Sequence, residues 1–84
     1  MSKHTETIKS HLYCHGYLGV IDKLFEDKDD VHIRVITDWE GHKRLQTLME
    51  KIGFMQVDLE AEPSDMDFFR ATHHYCKEPQ ETNE

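Results

Sequence analysis

The sequence predicts a two-layer α/β sandwich of α+β character, with element order βαβαββ and two helices on one face of a four-stranded mixed sheet. Three observations predict it. Val31, Ile33 and Val35, with Ile36, form a β-branched run that alternates with His32 and Arg34, as an interior strand does. Leu45, Leu48, Met49 and Ile52 recur at i, i+3, i+4 and i+7, the face of an amphipathic helix, and Gly53 supplies the left-handed position that stops it. Two further apolar runs flank the segment Ala61-Glu62-Pro63-Ser64-Asp65, which reads as a hairpin loop.

Taken in order, residues 5–13 place Ile8 and Leu12 on one face with Ser10 between them, the pattern of a half-buried first strand. Beyond Cys14-His15-Gly16, one row at helical spacing holds Tyr17, Val20, Ile21 and Leu24, and a second holds Leu18, Ile21 and Phe25, so a first helix is expected to end near Asp27. Glu26-Asp27-Lys28-Asp29-Asp30 is a solvated turn into the second strand, residues 31–36. Asp38 is the expected N-cap of the second helix, because its carboxylate can accept from the open N–H groups of the next turn. Met55, Val57 and Leu59 alternate with Gln56, Asp58 and Glu60 as a third strand, and the aromatic-rich residues 66–75 form the fourth. Right-handed crossovers make the first three strands parallel and the last antiparallel.

Size and charge bound the function. The chain has 84 residues and net charge −7, with 37% hydrophobic residues, which suits one thin-cored domain, residues 1–76, followed by a disordered acidic tail, 77–84. Nothing approaches the roughly 20 apolar residues of a membrane span. The N-terminus lacks an apolar signal region, which favours a reducing cytoplasm. Direct nucleic-acid binding is disfavoured, because it requires an excess of Lys and Arg to displace counterions. No phosphate-binding glycine loop occurs: Gly16, Gly19, Gly41 and Gly53 are scattered, and no cofactor is expected.

The predicted order and the stretch Thr7-Ile8-Lys9-Ser10-His11-Leu12-Tyr13-Cys14-His15-Gly16-Tyr17 resemble the TusA/SirA-like family of small sulfur carriers. That family opens with a strand and then Gly-Leu-x-Cys-Pro-x-Pro at the start of its first helix. Leu12 and Cys14 match; His11 stands at the glycine, and His15 and Tyr17 stand at the prolines. Residues 31–37, Asp38, Ile52-Gly53-Phe54 and residues 67–74 follow the same register. The resemblance implies that Cys14 carries a persulfide and passes its sulfur to a protein partner. A thiol at a helix N-terminus would favour the thiolate, with His15 tuning it. The alternative is a buried, structural Cys14.

Seven histidines are present, and His11, Cys14, His15 and His73, His74, Cys76 form two groups of metal-ligand type. The expected strand directions put the groups at opposite ends of the sheet, which disfavours a shared zinc site and also a Cys14–Cys76 disulfide. His73 and His74 should instead lie on opposite faces of the last strand. His42, Lys43 and Arg44 read as a solvated helix face, with a small anion site near the Asp38 turn as the alternative, and Trp39 as a core or contact residue, the core being favoured. The charge itself is uneven: residues 1–53 hold 9 acidic and 8 basic side chains, residues 54–84 hold 8 and 2. This supports a second function, an interaction or regulatory module that meets a basic partner through Asp58, Glu60, Asp65 and Asp67.

Overall fold

A computed structural model of the chain describes residues 4–28 and 30–77. It contains helix α1 (Thr5–Cys14), strands β1 (Val20–Asp27) and β2 (Asp30–Thr37), helix α2 (Trp39–Lys51), and strands β3 (Phe54–Ala61) and β4 (Phe69–Lys77). The two-layer α+β sandwich with a four-stranded sheet is as expected. Its order is αββαββ, however, so the expected βαβαββ order is corrected in its first half. The sheet runs β1-β2-β4-β3 and every adjacent pair is antiparallel, so it is not mixed. β2 and β3 are parallel to each other with β4 between them, a split β-α-β unit crossed by α2.

The first segment is a helix because Ile8 and Leu12, the two residues it buries, are four apart. That spacing suits one helix face and one strand face equally, so alternation alone could not choose. Gly16 decides. Its φ of 67° is left-handed, with Gly16 N–H donating to Tyr13 O (3.0 Å) and Tyr17 N–H to Leu12 O (3.0 Å). These are the two bonds of a Schellman motif, the same kind of stop that Gly53 (φ 90°) provides after α2. At the other end of α1 no side chain of its own caps the helix. The Glu26 carboxylate of β1 instead accepts from the backbone N–H groups of His4 (2.7 Å) and Thr5 (3.0 Å) and from the Thr5 hydroxyl (3.1 Å).

The segment expected as the first helix is strand β1. A β-bulge between Ile21 and Lys23 shifts its register, so Ile21 and Leu24, three apart, both pack on the core. The bulge therefore produces the spacing that reads as helical. β3 has a bulge between Gln56 and Asp58. As a result Phe54 and the half-buried Gln56 and Leu59 face inward, while Met55 and Val57 are exposed, against the simple alternation expected. Both bulges lie on edge strands, where they break the flat ladder that another chain could extend.

The core is one cluster: Ile8 and Leu12 from α1, Leu45, Leu48 and Met49 from α2, and Val31, Ile33, Val35, Phe54 and Tyr75 from the sheet. Both helices thus cover one sheet face. On the open face Phe25, His32 and His74 stack across three strands, with centroid spacings of 4.7 and 4.3 Å. Lys77, assigned to the tail by sequence, closes β4. The remaining tail residues, 78–84, lie outside the described residues.

Candidate binding cleft

Three chain segments meet at the end of the sheet where β1 begins and β2 ends. The α1–β1 turn is tied to α2 twice: the Tyr17 hydroxyl donates to Gly41 O (3.0 Å), and Arg44 Nη2 donates to His15 O (2.8 Å). Tyr17 is buried beneath this turn. Burial, with the Asp38 carboxylate adding to it, pushes its phenol up to about 12, so it stays a neutral donor. Two glycines permit the close approach. A Cβ at Gly19 would sit 2.6 Å from the Tyr17 ring, and one at Gly41 would collide with the Thr37 side chain. Asp38 opens α2 as expected, its Oδ1 accepting from Gly41 N–H (2.8 Å).

Between these segments lies a cleft of about 500 Å³, lined by Tyr17, Leu18, Asp38, Glu40, Arg44 and Phe68 among others. Its apolar lining is solvent-facing: Leu18 is 92% exposed and Phe68 60%. Trp39 is 54% exposed, so it is a surface residue and not the core residue favoured from sequence. It stands beside the cleft in a second depression formed with Asp38, Glu40 and Asp67, and it stacks toward Phe69 at 6.5 Å. Exposed Leu, Phe and Trp side chains grouped in this way are a recognition feature of surfaces.

The cleft selects among the acidic residues nominated by sequence. Asp67 joins Asp38 and Glu40 at the rim. Asp65 is exposed in the same β3–β4 loop. Asp58 and Glu60 lie on the edge strand β3 in register with His74 and Thr72 of the open face, so they belong to a different surface. Among the described residues Glu40 has a 3.8 Å exposed pairing with Lys43. The rim is therefore acidic, with Arg44 engaged by a backbone carbonyl.

Cys14 is exposed, but it is the last residue of α1 and not the first of a helix. Carbonyl groups face outward at that end, so the expected stabilisation of a thiolate by helical N–H groups does not arise. His15 is the C-cap, and its ring sits edge-on to His11 at 4.5 Å. His11 itself bonds Leu48 O at 2.8 Å. Cys76 pairs with Asp30 at the start of β2, near the level at which Glu26 of β1 holds the first turn of α1. Cys14 ends that helix nine residues on, about 14 Å further along its axis. A shared metal site and a Cys14–Cys76 disulfide are both out of reach. Among the described residues no group of three or more His, Cys, Asp or Glu side chains is placed to hold a metal.

His73 and His74 lie on opposite faces, as expected. His74 bonds Asp30 Oδ2 on the open face (2.8 Å), and His73 is fully buried. His42 is buried too, which corrects its assignment to a solvated helix face. The two interior rings form a chain: His42 Nε2 to Phe69 O (3.1 Å), His42 Nδ1 to His73 Nε2 (2.9 Å), and His73 Nδ1 to the Tyr75 hydroxyl (3.1 Å) and Gln56 Oε1 (3.2 Å). Sequence reasoning missed this pair. The available signal was His42 lying three residues before Leu45, on the apolar row of α2.

A scan against protein-family models and a search of curated proteins each return no match. No helix among the described residues is long and apolar enough to cross a membrane.

Proposed function

We propose that this protein is a protein-interaction module whose cleft takes a basic segment carrying an apolar side chain. The observation that carries this reading is the grouping of exposed Leu18, Phe68 and Trp39 with Asp38, Glu40 and Asp67 around one cleft. An apolar anchor would displace water from the Leu18–Phe68 walls, which supplies affinity. The acidic rim would select flanking Lys or Arg and accelerate encounter. The ties from Tyr17 and Arg44 fix the turn that carries Leu18 against α2 before a ligand arrives, which lowers the ordering cost of binding.

Trp39 is the single tryptophan of the chain and reports on the site directly. The octapeptide Lys-Lys-Leu-Lys-Phe-Arg-Lys-Lys is expected to shift Trp39 emission, with affinity that weakens as salt rises. Leu18→Ala and Phe68→Ala should each weaken it by about tenfold, the loss of one buried side chain at an interface. Asp67→Asn should flatten the salt dependence, and Cys14→Ser should leave binding intact. Peptide-induced NMR shifts confined to another surface, or none at millimolar peptide, would remove the proposal.

One observation favours a second reading, the sulfur carrier: the Cys14 thiol is exposed beside His11 and His15. A donor persulfide RS–SH would give its outer sulfur to the Cys14 thiolate, leaving RS⁻ and a Cys14 persulfide. Loading by a cysteine desulfurase should then add the mass of one sulfur atom, and Cys14→Ser should abolish the adduct. An unmodified mass under conditions that load a genuine carrier would eliminate this reading.

A further inference from the structure

The Phe69 carbonyl fixes the direction of the buried histidine chain, because it can only accept. His42 Nε2 must therefore carry a proton. In the neutral pair His42 Nδ1 is then an acceptor, His73 Nε2–H donates to it, and the Tyr75 hydroxyl donates to His73 Nδ1, which leaves Gln56 Oε1, 3.2 Å away, without a proton to accept from that ring. One added proton fits the same heavy-atom positions. His42 becomes doubly protonated and donates from Nδ1 to His73 Nε2, and His73 Nδ1–H turns to Gln56 Oε1. A second proton does not fit, since two N–H groups would then face each other across 2.9 Å.

The groups around the pair offer that second proton nothing in return. From α2 the chain faces Lys43, a cation at the mouth of the crevice that reaches His42 and His73 between Trp39, Gln46, Gln56 and Leu59. From β3 it faces the neutral Gln56, from β4 Tyr75, and from β2 Ile33, in register with His73. Tyr17 and Glu50 act on the far side, at Tyr75, whose phenol burial holds well above its ordinary range. No carboxylate among the described residues bonds either ring.

We propose that the His42–His73 pair is a proton-operated latch that holds the β3–β4 loop, and with it Phe68 and Asp67, in the binding-competent position. This rests on the cleft reading above. His73 lies mid-strand in β4, paired with Ile33 on one side and Leu59 on the other, and is held there, whereas Phe69 at the strand's start is paired with Thr37 of β2 alone. His42 lies early in α2 beside a crevice open to solvent. Repulsion in the doubly protonated pair therefore expels the His42 ring. That breaks its bond to Phe69 O, the first residue of β4 and the one that follows Phe68 in the cleft wall. Acidification thus releases the partner by unfastening one wall.

Two measurements on the whole chain test the latch. In NMR titration without peptide, the backbone amides of Phe68, Phe69 and Arg70 should move with the same midpoint as the His73 ring nitrogens. Amides that stay still while that ring titrates overturn the latch. His42→Gln keeps an amide donor for the Phe69 carbonyl but takes no proton. From about pH 7 to about pH 4, affinity for the octapeptide should fall at least about tenfold more in the parent than in His42→Gln, the differential being the coupling between proton and peptide. Equal falls would assign the pH effect to groups outside the pair and overturn the latch. Failure of both proteins to bind at about pH 7 would instead remove the cleft reading, with the amide titration still deciding the latch.

Discussion

At the scale of single residues, His73 links pH to stability. Burial first, and the neighbouring His42 second, lower its imidazolium from the ordinary 6.5 to about 4. Between those values the unfolded chain binds more protons than the folded one, so stability rises with pH. The contribution is complete above about pH 6.5 and is lost as pH falls toward 4, a change on the order of 3 kcal/mol. Urea midpoints should drop over that interval in the parent, and the drop should shrink in His73→Gln. An unchanged drop would place the acid sensitivity elsewhere. Gly41 is a second residue with a defined cost: Gly41→Ala drives a methyl group into Thr37 and should destabilise by about 1–3 kcal/mol, the usual range for overpacking. Gly19→Ala meets the Tyr17 ring in the same way, and its circular dichroism melt should fall with that of Gly41→Ala.

At the scale of elements, α1 depends on a carboxylate supplied from β1. Glu26 satisfies two backbone donors and one hydroxyl at the helix start, so Glu26→Gln should cost about 1–3 kcal/mol, as for a charge-assisted bond lost at a part-buried site. Amide exchange should show the loss first in residues 5–9. Leu12→Ala removes a core residue beneath the Schellman turn, and about 2–5 kcal/mol is expected from the lost burial and the cavity. Elements also show where sequence reading succeeds. Helix α2 was legible from its apolar row, its Asp38 cap and its Gly53 stop, because each is a local signal. Gly16 is the same signal after α1, yet in sequence Cys14-His15-Gly16 reads equally as the approach to a following helix. The two bulged edge strands were not legible in detail, since a bulge shifts the phase of burial by one residue and makes Ile21 and Leu24 imitate a helix.

At the scale of the whole molecule, β2 and β4 are central and β1 and β3 are bulged edges. The slowest-exchanging amides should therefore lie in β2 and β4, with β1 and β3 opening by smaller fluctuations. Equal protection across the four strands would contradict that hierarchy. The charge asymmetry also takes a new form at this scale. Sequence placed the acidic surface along the C-terminal hairpin, but folding sends Asp58 and Glu60 to the open sheet side and brings Asp67 to Asp38 and Glu40, from the half of the chain with nearly balanced charge.

Composition, helix caps and β-branched runs by themselves determined a small two-layer domain with four strands and two helices, and they located α2, β2 and β4. Those features are encoded by neighbours within a few residues of one another. Tertiary structure alone decided that α1 precedes β1, that every adjacent strand pair is antiparallel, and that His42 meets His73 in the interior while Leu18 and Phe68 wall a cleft. The physical reason is distance along the chain: 31 residues separate the two histidines, and no periodicity within a single element carries information about which strand will face it.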